Sequence, residues 1–148
     1  MTLSEKISAE IKTAMMAKDA DRLATLRLLK SAIGYAQIEK KTDSLPDAEV
    51  IGLVQKEIKK RRDSIEQFTQ GGRPELAEKE ASEILILESF LPTPLTPEQL
   101  QDLIQQTIQE AGATSKKDMG AVIKAVQAKA AGRADGKSIS AAVGRLLP

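Results

Sequence analysis

Neither cysteine nor histidine occurs anywhere in the chain. Without cysteine there is no disulfide framework, no thiolate nucleophile and no cysteine metal site. Without histidine the Ser-His-Asp triad, most zinc sites and the usual neutral-pH general base are excluded as well. Any chemistry would fall to Lys, Asp, Glu, Ser, Thr or the single tyrosine, Tyr35. We therefore assign no catalytic residues, metal ligands or cofactor, and an enzyme acting on its own is not the expectation. Aromatic residues are equally scarce, at 2% of the sequence: Tyr35, Phe68 and Phe90. The core has to be built from Leu, Ile, Val, Ala and Met, the residues of packed helices, whereas strands favour aromatic and β-branched side chains.

Long apolar runs are missing too. The longest strongly aliphatic stretch, Ile84–Leu87, is far too short to span a bilayer, and the first ten residues already hold Glu5 and Glu10. The sequence-based expectation is a soluble, cytoplasmic protein with no membrane partner. What the chain does have is 148 residues of which 41% are apolar. That suffices for one moderate core with a small satellite domain. Net charge is +1, but its distribution is uneven. Residues 92–111 carry Glu98, Asp102 and Glu110 and no base. Residues 112–148 carry seven bases against Asp118 and Asp135, a local net charge of +5.

The periodicity predicts an all-α fold in two unequal parts. Pro92, Pro94 and Pro97 interrupt the chain within six residues and cannot continue a helix, so the boundary falls there. Residues 1–91 are read as a larger helical domain of about four helices, 92–97 as a proline-rich linker, and 98–148 as a small basic three-helix domain. Helix 1 opens on a Thr2-x-x-Glu5 capping box and presents Leu3, Ile7, Ile11 and Ala14/Met15. Helix 2 follows Asp19 and presents Leu23, Leu26, Leu29, Ile33 and Ala36. Helix 3 begins near Ser44 with Pro46 in its first turn and ends at Gly71-Gly72. Helix 4 starts near Pro74 and finishes in Ile84–Leu91, apolar nearly all round and so expected between other elements. Thr96-Pro97-Glu98-Gln99 opens the fifth helix, Ser115 caps the sixth, and the last follows Gly132–Gly136.

Two motifs that look like chemistry fail on context. Ala131 with Gly136-Lys137-Ser138 matches a loose phosphate-binding loop, but such a loop must leave a buried strand, and Lys124–Ala130 reads as helix. Pro46-Asp47 followed by Glu57-x-Lys59 matches a nuclease metal pattern that needs a β-hairpin, and this stretch is helical too. Arg61 and Arg62 interrupt the apolar stripe between Ile58 and Ile65. Their stems are expected over the core with the heads in water or on an acid such as Glu66; the alternative is contact with a partner. The basic tail is the strongest functional candidate. Lys116, Lys117 and Lys137 stand at helix starts, where the macrodipole disfavours positive charge. Free helix N–H groups with added lysines could cradle phosphates, and Lys124, Lys129, Arg133 and Arg145 could extend the contact. A merely solvated surface balanced by Asp118 and Asp135 explains the same residues equally well.

Lys117-Asp118-Met119-Gly120-x-Val122-Ile123-Lys124, then Lys129-Ala130-x-Gly132-Arg133-Ala134-Asp135-Gly136, resembles the tail signature of the GatB/YqeY family. Leu26-Arg27-Leu28-Leu29-Lys30, Arg61–Ile65 and Ile84–Pro92 resemble its stand-alone YqeY branch. The resemblance implies an all-α fold with a larger and a smaller domain. It also implies tRNA as ligand. In the glutamine-dependent aspartyl/glutamyl-tRNA amidotransferase, the related region of the GatB component is a helical appendage that helps hold tRNA. A carbon–nitrogen ligase association comes with the family, but nothing in this chain corresponds to the catalytic cradle or a glutaminase. The reading is a non-catalytic tRNA-binding module. Its alternative is a helical adaptor for an amidotransferase or an aminoacyl-tRNA synthetase. Few aromatics favour recognition of folded RNA by shape and backbone over base stacking, and duplex DNA is not an expected target.

Overall fold

The computed structural model describes residues 1–148. It holds seven α-helices and one 3-10 turn, with no strand. The chain divides into two compact units, Met1–Leu91 and Pro92–Pro148. No helix is long and apolar enough to cross a membrane.

The first unit is built from α1 (Leu3–Met16), α2 (Ala20–Lys40), α3 (Asp47–Gln70) and α4 (Pro74–Glu88). The Thr2–Glu5 capping box forms in both directions, with Glu5 N–H donating to Thr2 Oγ1 at 3.1 Å and Thr2 N–H to Glu5 Oε2 at 3.3 Å. Asp47 Oδ1 accepts from Leu3 N–H at 2.9 Å, which ties the start of α1 to the start of α3. Lys41 adopts the left-handed conformation that closes α2. Each helix gives one stripe to a common core: Ile7, Ile11 and Ala14; Leu26, Leu29 and Ile33; Val50, Val54 and Ile58; Ile84 and Leu87, with Leu45 and Phe90 at the ends. Full burial of each large aliphatic side chain contributes about 1.5–3 kcal/mol, which is how helices with few aromatics hold together. Thr25 is buried as well, and its Oγ1 donates to the Asp21 carbonyl at 3.1 Å, so its own hydroxyl is not stranded.

Three local expectations change. Pro46 is the N-cap of α3, not a first-turn residue, and α3 starts at Asp47. Met15 is exposed, and Ala14 alone ends the α1 stripe. The end of α4 is not buried all round: Leu87 and Ile84 face the core, but Leu85 is 69% exposed. Four consecutive aliphatics cover the full circumference of a helix, and only one side of α4 has neighbours to pack against.

Arg61 differs most from its sequence reading. Its side chain is only 8% exposed and its head is held by acids rather than by water. Nε donates to Glu83 at 2.9 Å, and Nη1 donates to Glu57 Oε2 at 3.0 Å and to the Glu57 carbonyl at 3.2 Å. Glu80 lies 3.9 Å from Nε. The guanidinium thus joins α3 to α4 inside the unit, with a fork geometry that lysine could not supply.

The second unit contains α5 (Pro97–Ala111), the 3-10 turn Lys116–Asp118, α6 (Met119–Ala130) and α7 (Gly136–Leu146). Thr96 and Gln99 form a second capping box, and Gly112 closes α5 in the left-handed conformation. Its own core gathers Ile104, Val122, Val126, Ala130, Ile139, Val143 and Leu147. Leu95 packs against this core, and its N–H donates to the Arg133 carbonyl at 2.8 Å.

Candidate functional site

Apart from the exposed Arg145 near the end of α7, the basic residues of the second unit sort into two sets by what their heads touch. Lys129 Nζ forms an ion pair with Glu110 and donates to Thr107 Oγ1 at 3.3 Å. It therefore fastens the end of α6 to the end of α5. Arg133 Nε donates to the Thr93 carbonyl at 2.8 Å, while the Arg133 carbonyl receives Leu95 N–H. The two contacts hold the 93–95 segment against the α6–α7 turn. Both side chains line a groove of about 330 Å³ whose wall also carries Asp102, Gln99 and Gln106. A phosphate entering that groove would meet the Asp102 carboxylate.

Lys116, Lys117, Lys124 and Lys137 behave differently. All four are exposed, and none has a hydrogen bond or ion pair from its side chain. Lys116 and Lys117 form the 3-10 turn that precedes α6, Lys124 lies one and a half turns into α6, and Lys137 is the second residue of α7.

The helix starts beside them are less open than the sequence suggests. The expected helix from Ser115 is a 3-10 turn followed by α6 at Met119. Ser115 Oγ accepts from Lys117 N–H at 3.4 Å, the Ser115 carbonyl accepts from Asp118 N–H at 3.0 Å, and the Lys116 carbonyl accepts from Met119 N–H. At α7 the Asp135 carboxylate accepts from Ser138 N–H at 2.6 Å. An acidic N-cap already occupies the place an anion would take. The lysine heads, not the helix amides, are what this surface offers a phosphate.

The remaining signature residues shape the turn. Ala131 and Gly132 both have positive φ, 48° and 86°. Arg133 N–H then donates to the Ala130 carbonyl at 2.9 Å, Asp135 caps α7, and Gly136 is its first residue. Residues 131–138, which matched a loose phosphate loop, are this helix–helix turn and the first turn of α7. Met119 reaches toward Gly144, where an added Cβ would sit 3.5 Å from its methyl carbon.

The family model described as Yqey-like protein matches residues 4–147. The chain belongs to the YqeY-like family. A relative from Kluyveromyces lactis, named altered inheritance of mitochondria protein 41, mitochondrial, is 38% identical over 84 residues, covering 57% of this chain and 45% of the relative. An uncharacterized protein of Schizosaccharomyces pombe is 38% identical over 90 residues, covering 61% of this chain and 72% of its own length. A Pyrenophora tritici-repentis protein, also named altered inheritance of mitochondria protein 41, mitochondrial, matches over 132 residues at 29% identity, covering 87% and 71%. The match thus spans about half the length of several of these YqeY-like relatives, 45% in the first and 46% in others. Their names overturn the expectation of a cytoplasmic protein. That expectation rested on the lack of an apolar leader, a criterion for secretion that does not bear on organelles, whose import segments are amphipathic and arginine-rich.

Proposed function

We propose that this chain is a non-catalytic tRNA-binding module that contacts the RNA backbone through the exposed lysines of its second unit. One observation carries the reading: Lys116, Lys117, Lys124 and Lys137 are exposed and unpaired, although Asp118, Asp135 and Glu110 lie in the same unit. Those acids are engaged elsewhere, Asp118 with Thr114 N–H, Asp135 at the α7 cap and Glu110 with Lys129. With the exposed Arg145 they make five unneutralised cations, and so many on a domain of this size attract a polyanion. The resemblance to the tail of the amidotransferase's GatB component supports tRNA as that polyanion. Lys129 and Arg133, which the sequence alone presents as contacts, become positioning residues that fix the 93–95 segment and the α6–α7 turn.

Fluorescence anisotropy of labelled tRNA, titrated across salt with duplex DNA as competitor, tests the reading. Neutralising four phosphates gives a log–log salt slope of about −3 and a loss of the order of fiftyfold between about 50 and 200 mM salt. Binding that prefers tRNA with that slope is the expected result. Salt-insensitive binding, or displacement by DNA at equal concentration, would remove the proposal.

A further inference from the structure

The motif Leu26-Arg27-Leu28-Leu29-Lys30 is only half explained by the fold. Leu26 and Leu29 are in the core of the first unit, whereas Arg27, Leu28 and Lys30 are exposed. Leu28 is followed at i+7 and i+10 by Tyr35 and Ile38, and the three are 57%, 75% and 76% exposed. At 100° per residue they share one stripe, on the side of α2 opposite Leu26, Leu29 and Ile33. Ser31 lies between them and Ala24 one turn before Leu28, and Arg27 and Lys30 lie to one side of the stripe. Neither cation has a hydrogen bond or ion pair, and from Arg22 to Ile38 there is no acid. Arg22, the other base in that stretch, is already paired with Glu10 at 2.9 Å.

Gly34 adds a second, independent observation. It lies inside α2 one turn from Lys30 and one turn from Ile38, where glycine weakens a helix, yet an added Cβ would meet nothing within 4 Å. Packing within the unit does not require a glycine there. Close approach of a second backbone along this side of α2 would.

We propose that the solvent face of α2 docks an amphipathic helix of another protein, with Leu28, Tyr35 and Ile38 as anchors and carboxylates of the partner against Arg27 and Lys30. The charge of the edge sets the sign of the partner. The anchors recur at the spacing that helix-in-groove recognition uses. The area argues for a short partner segment over a second copy: the three anchors offer on the order of 400 Å², about half of what each subunit of a stable dimer buries. This inference concerns the first unit and does not depend on the RNA reading of the second.

Photo-crosslinking from benzoylphenylalanine in place of Tyr35, in extract of the source cells and with the full chain, tests it. The cross-linked segment is sequenced, and synthetic copies of it are then titrated against the protein. The expected product is a segment of another protein with apolar residues at helical spacing and an excess of Asp and Glu. Its synthetic copy binds about tenfold more weakly to the folded Arg27→Glu, Lys30→Glu double variant, and a copy with Lys in place of those acids recovers binding to that variant. Gly34→Ala weakens binding while raising the melting temperature, a pair of effects that a folding defect cannot produce. A cross-link to this chain's own sequence, to RNA or to a segment without acidic excess overturns the proposal, and so does the absence of any cross-link.

Discussion

Arg61 sits among three glutamates, and its surroundings set what its loss would do. Glu57, Glu80 and Glu83 have side chains 16%, 24% and 18% exposed, so truncating the arginine removes the cation these largely buried carboxylates share and leaves Glu57 only the exposed Lys60 at 3.6 Å. Removing one partner of a buried pair costs about 3–5 kcal/mol, and the partial access of these acids to water puts Arg61→Ala near the lower end. Chemical denaturation should show that loss, whereas the exposed neighbouring substitution Lys60→Ala should cost under about 1 kcal/mol. A single residue of this kind is hard to read in a sequence. An arginine on an apolar stripe looks the same whether its head snorkels to water or meets acids from another helix. Glu80 and Glu83 lie 19 and 22 residues away, on an element whose packing against α3 no local pattern reveals. The four free lysines were legible as a basic cluster. That Lys129 and Arg133 leave that cluster was not, because their partners Glu110 and Thr93 come from earlier parts of the chain.

Helices and their ends were the most legible level. Both capping boxes, Thr2–Glu5 and Thr96–Gln99, form as their spacing implies, since a cap is a contact between residues three apart. The sixth helix starts later than its sequence implies because two side chains compete locally. Ser115 Oγ takes Lys117 N–H and Asp118 Oδ2 takes Thr114 N–H at 3.1 Å, and the segment tightens into a 3-10 turn before α6 can begin. Two substitutions check this level from opposite directions. Asp135→Ala removes the cap of α7 and should destabilise the second unit by about 1 kcal/mol in thermal unfolding. Gly52→Ala lies in the exposed interior of α3 with nothing within 4 Å of the new Cβ, and should stabilise the first unit by about 0.5–1 kcal/mol. Gly132→Ala, by contrast, puts a side chain at φ 86° and should cost about 1–2 kcal/mol.

At the scale of the whole molecule, the family signature turns out to hold both frame and candidate contact residues: Lys117 and Lys124 are among the free lysines, whereas its second half is frame. Gly132, Arg133, Asp135 and Lys129 build the α6–α7 turn and tie it to α5 and to the 93–95 segment. The lysines left free decorate that frame. Sequence reading could recognise the family and the basic tail but not divide the tail into frame and contact, because that division depends on which acids are already engaged. Localisation was lost for a different reason, since the criterion applied was one for secretion. The most direct test of the division is the affinity of labelled tRNA for two folded variants at one low salt concentration. Reversing Lys116, Lys117, Lys124 and Lys137 to Glu should weaken binding by about a hundredfold or more with thermal stability unchanged. Arg133→Ala should lower the stability of the second unit and leave affinity within about threefold at a temperature where it stays folded. Unchanged affinity in the lysine variant, or loss of affinity in the folded Arg133 variant alone, would contradict the account.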